Sequence, residues 1–178
     1  MMQALKRPSL TLSTPWRLLL LSLHVATTVS VLGTDLVLLT LGIASLDGAD
    51  PRTIYPAAHL ASIWLVAPLA VLSLGTGLLL GWLTPWGVFR YWWVTIKLAI
   101  TTILTGIVLF VLVPRLGMVA AAVMASDAEA LPEGSRVPLV IAPVLASSLL
   151  LLNVVLAIYK PGRRLRRGAS FPRIPPTP

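Results

Sequence analysis

Four apolar runs divide this chain, each long enough to cross a lipid bilayer. They cover about residues 16–43, 55–83, 91–113 and 137–159. A spanning helix needs ~20 mostly apolar residues. It must pair its backbone groups internally, because hydrocarbon offers them no partner. Composition points to the same solvent: 57% of residues are hydrophobic and 11% charged, less than half the ~25% charge of a soluble domain. The expected fold is all-α: a polytopic membrane protein with four transmembrane helices in an antiparallel bundle, both termini cytoplasmic.

The breaks between the runs have physical causes. Asp47-Gly48-Ala49-Asp50-Pro51 is a turn sequence whose charges need water. Thr84-Pro85-Trp86-Gly87 predicts a short turn, which would make helices two and three antiparallel neighbours. Pro114 to Arg136 reads as the only long connection, with a short interfacial helix over Leu116 to Ala125. The first run resembles a signal peptide in its leading Lys6, Arg7 and Arg17, but its length exceeds an h-region of ~7–15 residues. It is expected to remain as a helix. The organisation is then a cytoplasmic segment 1–15, a transmembrane domain 16–160, and a basic, proline-rich, disordered cytoplasmic tail 161–178.

Charge placement predicts the orientation. Lys6, Arg7, Arg17, Arg90 and the tail cations flank one side; Arg52, Arg115 and Arg136 flank the other. The richer side should be cytoplasmic, in a multi-pass protein of a bacterial plasma membrane. Trp16, Trp82, Trp86, Tyr91, Trp92, Trp93 and Tyr159 gather near that interface, where amphipathic rings prefer to lie. The net charge of +8 therefore reads as contact with anionic headgroups, through Arg163, Arg164, Arg166 and Arg167, and not as nucleic-acid binding.

Ionisable groups inside a span are costly and usually face the protein interior. His24, Asp35, His59 and Lys97 are the candidates, joined by the polar Thr28, Thr76 and Asn153. At a rise of 1.5 Å per residue, His24, Thr76, Lys97 and Asn153 each lie roughly 10 Å from the cytoplasmic end. A bundle could gather them into one layer, or Lys97 could snorkel while Thr76 and Asn153 only join helices. Asp35 and His59 lie nearer the other face, where a mutual contact is plausible if helices one and two are neighbours, and a water-exposed rim is the alternative. His24, Thr28, Val31 and Asp35 return to one helix face. That face suits a proton or ion path, or plain packing with the threonines bonded to their own backbone. Gly77 and Gly81 form a GxxxG pattern that permits close helix approach, while Pro68 and Pro143 each remove a helical hydrogen bond.

Other chemistry lacks residues. The chain has no cysteine, which removes disulfides, thiolate metal sites and thiol nucleophiles. Two histidines at different depths suit neither one bis-histidine haem nor a tight metal site. Ser147 and Ser148 have no nucleophile elbow around them. No metal or cofactor is expected, and no enzymatic activity.

The segments Leu23-His24-Val25-Ala26, Trp64 to Leu69 and Gly75-Thr76-Gly77-Leu78 resemble small, mainly actinobacterial, predicted integral membrane proteins of unknown function. Thr84-Pro85-Trp86-Gly87, followed by Tyr91-Trp92-Trp93-Val94 and Lys97, carries the strongest likeness. The resemblance covers about residues 16–113. It implies four helices and no assigned activity, with His24, Trp93 and Lys97 as motif positions. A looser likeness is to the copper-resistance membrane family, whose methionine-rich and multi-histidine motifs this chain lacks. The expected role is a non-enzymatic subunit or accessory of a membrane assembly, with membrane-protein partners or a homo-oligomer. The alternatives are a small proton- or ion-coupled transporter and, behind it, a haem- or copper-linked redox protein.

Overall fold

The computed structural model describes residues 13–83, 92–125 and 136–159. Among them there is no strand, and four helices are long and apolar enough to cross a membrane: α1 (Thr14–Leu46), α2 (Pro51–Leu83), α3 (Trp92–Ala125) and α4 (Val137–Tyr159). At 1.5 Å per residue, α1 to α3 are each about 50 Å long and outrun a hydrocarbon core of ~30 Å, so they must tilt or protrude. The basic tail with Arg163 to Arg167, the Thr84–Gly87 turn and the acidic stretch 126–135 lie outside the described residues.

The α1–α2 connection is built as its residues require. Gly48 takes a φ of +90°, a conformation that glycine adopts without Cβ strain. Asp50 then caps α2, its Oδ1 accepting from Arg52 N–H at 3.0 Å and its Oδ2 from Thr53 Oγ1 at 3.2 Å. With Pro51 at the first helical position, α2 begins ahead of the expected Tyr55.

The largest departure is in α3. Its helix does not end at Val113 but runs through Pro114 to Ala125, so Leu116 to Ala125 is a continuation and not a separate interfacial helix. A π-helical turn, Val108–Leu112, makes this possible: Val113 N–H bonds back to Val108 O. The wider turn sits just before the proline, where an α-helical carbonyl would meet its ring. The same device occurs in α2, where the π-helical turn Ser62–Val66 precedes Ala67 and Pro68. The two π-helical turns contact each other.

α1 packs along the second half of α2 and along α4, while the first half of α2 packs on the last part of α3. One end of the bundle is densely apolar, with Leu38, Tyr55, Ala58, Val123 and Leu139 meeting from all four helices. α1 and α4 approach most closely at Gly42, where a Cβ would stand 2.5 Å from Leu139 O. Arg136 Nη1 donates to Ser45 O at 3.0 Å and ties the start of α4 to the end of α1. The exterior is apolar, with Phe110 81% and Trp64 73% exposed. α3 between Trp92 and Leu112 buries only Trp93 and Thr105.

Candidate functional site

α1 presents one inward face along its length: Thr27, Val31, Asp35, Leu38, Gly42 and Ser45 are all buried. His24 opens this face near the start of α1. Its ring lies over Gly77 of α2, where a Cβ would come within 3.1 Å of Cε1. Its Nδ1 lies 3.1 Å from Ser73 O and 3.0 Å from Thr76 Oγ1. A carbonyl only accepts, so the bond to Ser73 puts the proton on Nδ1. Thr76 Oγ1 in turn donates to Leu72 O at 2.7 Å. The structure therefore brings His24 and Thr76 together.

Thr27 and Thr34 donate only to carbonyls of α1. Thr28 does the same towards His24 O but also meets Ser73 Oγ at 2.9 Å, so it belongs to the His24 group. Across the bundle, Asn153 Nδ2 of α4 donates to Thr101 Oγ1 at 3.2 Å, and Thr101 Oγ1 donates to Lys97 O at 2.9 Å. Asn153 Oδ1 is buried without a partner. Lys97 faces the same cavity as His24.

Asp35 and His59 do not meet. Asp35 accepts from Ser147 Oγ of α4, whereas the His59 ring lies against Gly117 of α3, with a buried Nδ1 that has no partner. The inward face of α1 directs Asp35 towards α4. The continuation of α3 past Pro114 supplies the surface that covers His59.

Two cavities lie between the helices. One, of about 360 Å³, is lined by all four helices and contains Asp35, Thr105 and Arg115 among mostly apolar walls. The second, of about 540 Å³, contains Arg17, His24, Trp93 and Lys97. Ser73 and Thr101 are walls of both. Three polar residues that sequence reasoning passed over, Ser73, Thr101 and Thr105, complete the site, together with Ser147, which the sequence offered only as an unsupported nucleophile. Helical spacing held the clue for two of them, because Thr101 lies one turn beyond Lys97 and Ser73 one turn before Thr76. Among the described residues, no group of three or more His, Asp or Glu is placed to hold a metal ion.

Compared with protein-family models, with curated proteins and with solved structures, the chain matches none.

Proposed function

We propose that this protein is an antiparallel four-helix bundle of a bacterial plasma membrane, with cytoplasmic termini, and a small carrier that moves protons through its interior. The observation that carries the reading is the pair of cavities sharing Ser73 and Thr101, with His24 and Lys97 on one side and Asp35 on the other. Intramembrane ionisable groups mark proton and substrate paths when they line an interior instead of facing lipid. Hydroxyls both accept and donate, so Thr28, Ser73 and Thr101 suit the stretch between the charged groups. Orientation rests on the excess of Lys and Arg beside the two termini. The antiparallel arrangement is supported by contact between the first half of α2 and the last part of α3.

The test is proton movement in liposomes loaded with a pH-sensitive dye, under an imposed potential. Wild-type protein should acidify the interior faster than empty vesicles, and Asp35→Asn and Lys97→Met should each slow it about tenfold or more. No flux from the wild type, or undiminished flux from both variants, overturns the reading.

A second reading, an accessory subunit of a membrane assembly, is favoured by the middle of α3. There Ile103, Ile107, Phe110 and Val111 are exposed and little of the helix is buried. A photo-crosslinker placed at Phe110 should then capture a membrane-protein neighbour in native membranes. Crosslinks to lipid alone would exclude it.

A further inference from the structure

Among the described residues, the cavity beside His24 collects positive charge without a counter-charge. Arg17 reaches it from α1 and Lys97 from α3, and no described Asp or Glu is on its walls. The described acidic residues are Asp35, Asp47 and Asp50. Asp35 is engaged with Ser147 in the neighbouring cavity, and the other two belong to the α1–α2 turn at the far end of α1. A half-buried ammonium in an apolar helix is stable when paired, and the described chain offers Lys97 no carboxylate. The remaining walls are apolar, among them Leu21 and Leu98, with Trp93 buried at the edge. The His24 ring is held against Gly77 by its bonds to Ser73 and Thr76 and is thus a fixed wall.

We infer that this cavity binds one anionic group, a phosphate or carboxylate, carried on an apolar body. Lys97 and Arg17 supply the charge; the leucines and Trp93 receive the apolar part. The site stands apart from the proton-carrier reading, since it needs only the convergence of the cations. Two sources have this chemistry: the headgroup of an anionic lipid, and a soluble amphiphile with a single acidic head.

Binding to the purified full chain in detergent tests it. Native mass spectrometry would compare retained phosphatidylglycerol with phosphatidylcholine, and calorimetry would titrate dodecyl phosphate and inorganic phosphate. Phosphatidylglycerol, dodecyl phosphate or both should bind about tenfold more tightly than phosphatidylcholine. Retention of the lipid alone assigns the site to a headgroup; binding of dodecyl phosphate alone assigns it to a soluble ligand. Lys97→Met should weaken binding about tenfold, and Lys97→Arg, which keeps the charge, should restore most of it. Arg52→Gln, at the α1–α2 turn, should leave it unchanged. Inorganic phosphate binding as tightly as dodecyl phosphate would overturn the apolar body. No preference for the anionic ligands, or equal binding by folded Lys97→Met, would overturn the site.

Discussion

Asp35 of α1 and Ser147 of α4 lie 2.5 Å apart, carboxylate Oδ2 to hydroxyl Oγ, and both residues are buried. The bond joins the two helices midway between their close contact at Gly42 and the polar group around His24. Removing the hydroxyl leaves a buried acceptor with one donor fewer. Ser147→Ala should therefore destabilise the bundle by about 1–3 kcal/mol, read as a lower unfolding temperature in detergent. Asp35→Asn keeps a side chain that can still bond Ser147 and should cost less than Ser147→Ala. The double variant, with neither the charge nor the hydroxyl, should fall short of the sum of the single effects. Additive single effects would show that the two side chains do not act as a pair.

Gly42 and Gly33 are both in α1 but meet different surroundings. A Cβ at Gly42 would stand 2.5 Å from Leu139 O and 2.9 Å from its carbonyl carbon, whereas at Gly33 nothing lies within 4 Å. Backbone cannot swing aside as a side chain can, so Gly42→Ala must push α4 away from α1, at about 1–3 kcal/mol. Gly33→Ala meets no obstacle and gains helix propensity, so it should be neutral or stabilising by up to about 1 kcal/mol. Thermal unfolding of the two variants side by side checks the contrast, and equal melting would remove the close helix approach.

The α1–α2 turn should be sensitive at both of its ends. Gly48 has φ +90°, so an alanine there is strained by about 1–2 kcal/mol even though space is open around it. Asp50→Ala removes the side chain that accepts from Arg52 N–H and Thr53 Oγ1, at about 0.5–2 kcal/mol. Asp50→Ser, which also caps, should recover most of that loss. Hydrogen exchange in the first turn of α2 should quicken for Asp50→Ala and not for Asp50→Ser.

The four apolar runs could be read directly because a length near 20 residues and the lack of charge leave few alternatives. Depth counted along the helices also placed His24 level with Thr76, and their atoms are 3.0 Å apart. Pro114 misled because a proline need not end a helix: the π-helical turn before it accommodates its ring, and Pro143 likewise lies inside an unbroken helix. The π-helical turn at Val108–Leu112 leaves no local signature, since its residues are ordinary apolar ones. Ser147 was weighed only as a nucleophile, for a related reason: a single hydroxyl in an apolar run has no other meaning until another helix brings it a carboxylate. Which helices face each other is set by tertiary packing, beyond the reach of spacing along one helix. The same applies to His59, whose place against Gly117 depends on α3 continuing past Pro114.

The proposed orientation can be checked with unusual cleanness because the chain contains no cysteine, so one introduced thiol is the only target of a maleimide. Asp47, exposed at the end of α1, is expected on the outer side, and the tail is expected on the cytoplasmic side, where Lys and Arg accumulate. In intact spheroplasts, a membrane-impermeant maleimide should label Asp47→Cys almost fully and Ser170→Cys almost not at all. Ser170→Cys should react once the membrane is permeabilised. Glu133→Cys, between α3 and α4, should behave like Asp47→Cys, since two further spans separate them. Protection of Asp47→Cys with labelling of Ser170→Cys would invert the protein. The cavity of Arg17, His24 and Lys97 would then lie towards the outer leaflet. Opposite behaviour of Asp47→Cys and Glu133→Cys would mean that α2 and α3 do not both cross, and the bundle would lose its even count of spans.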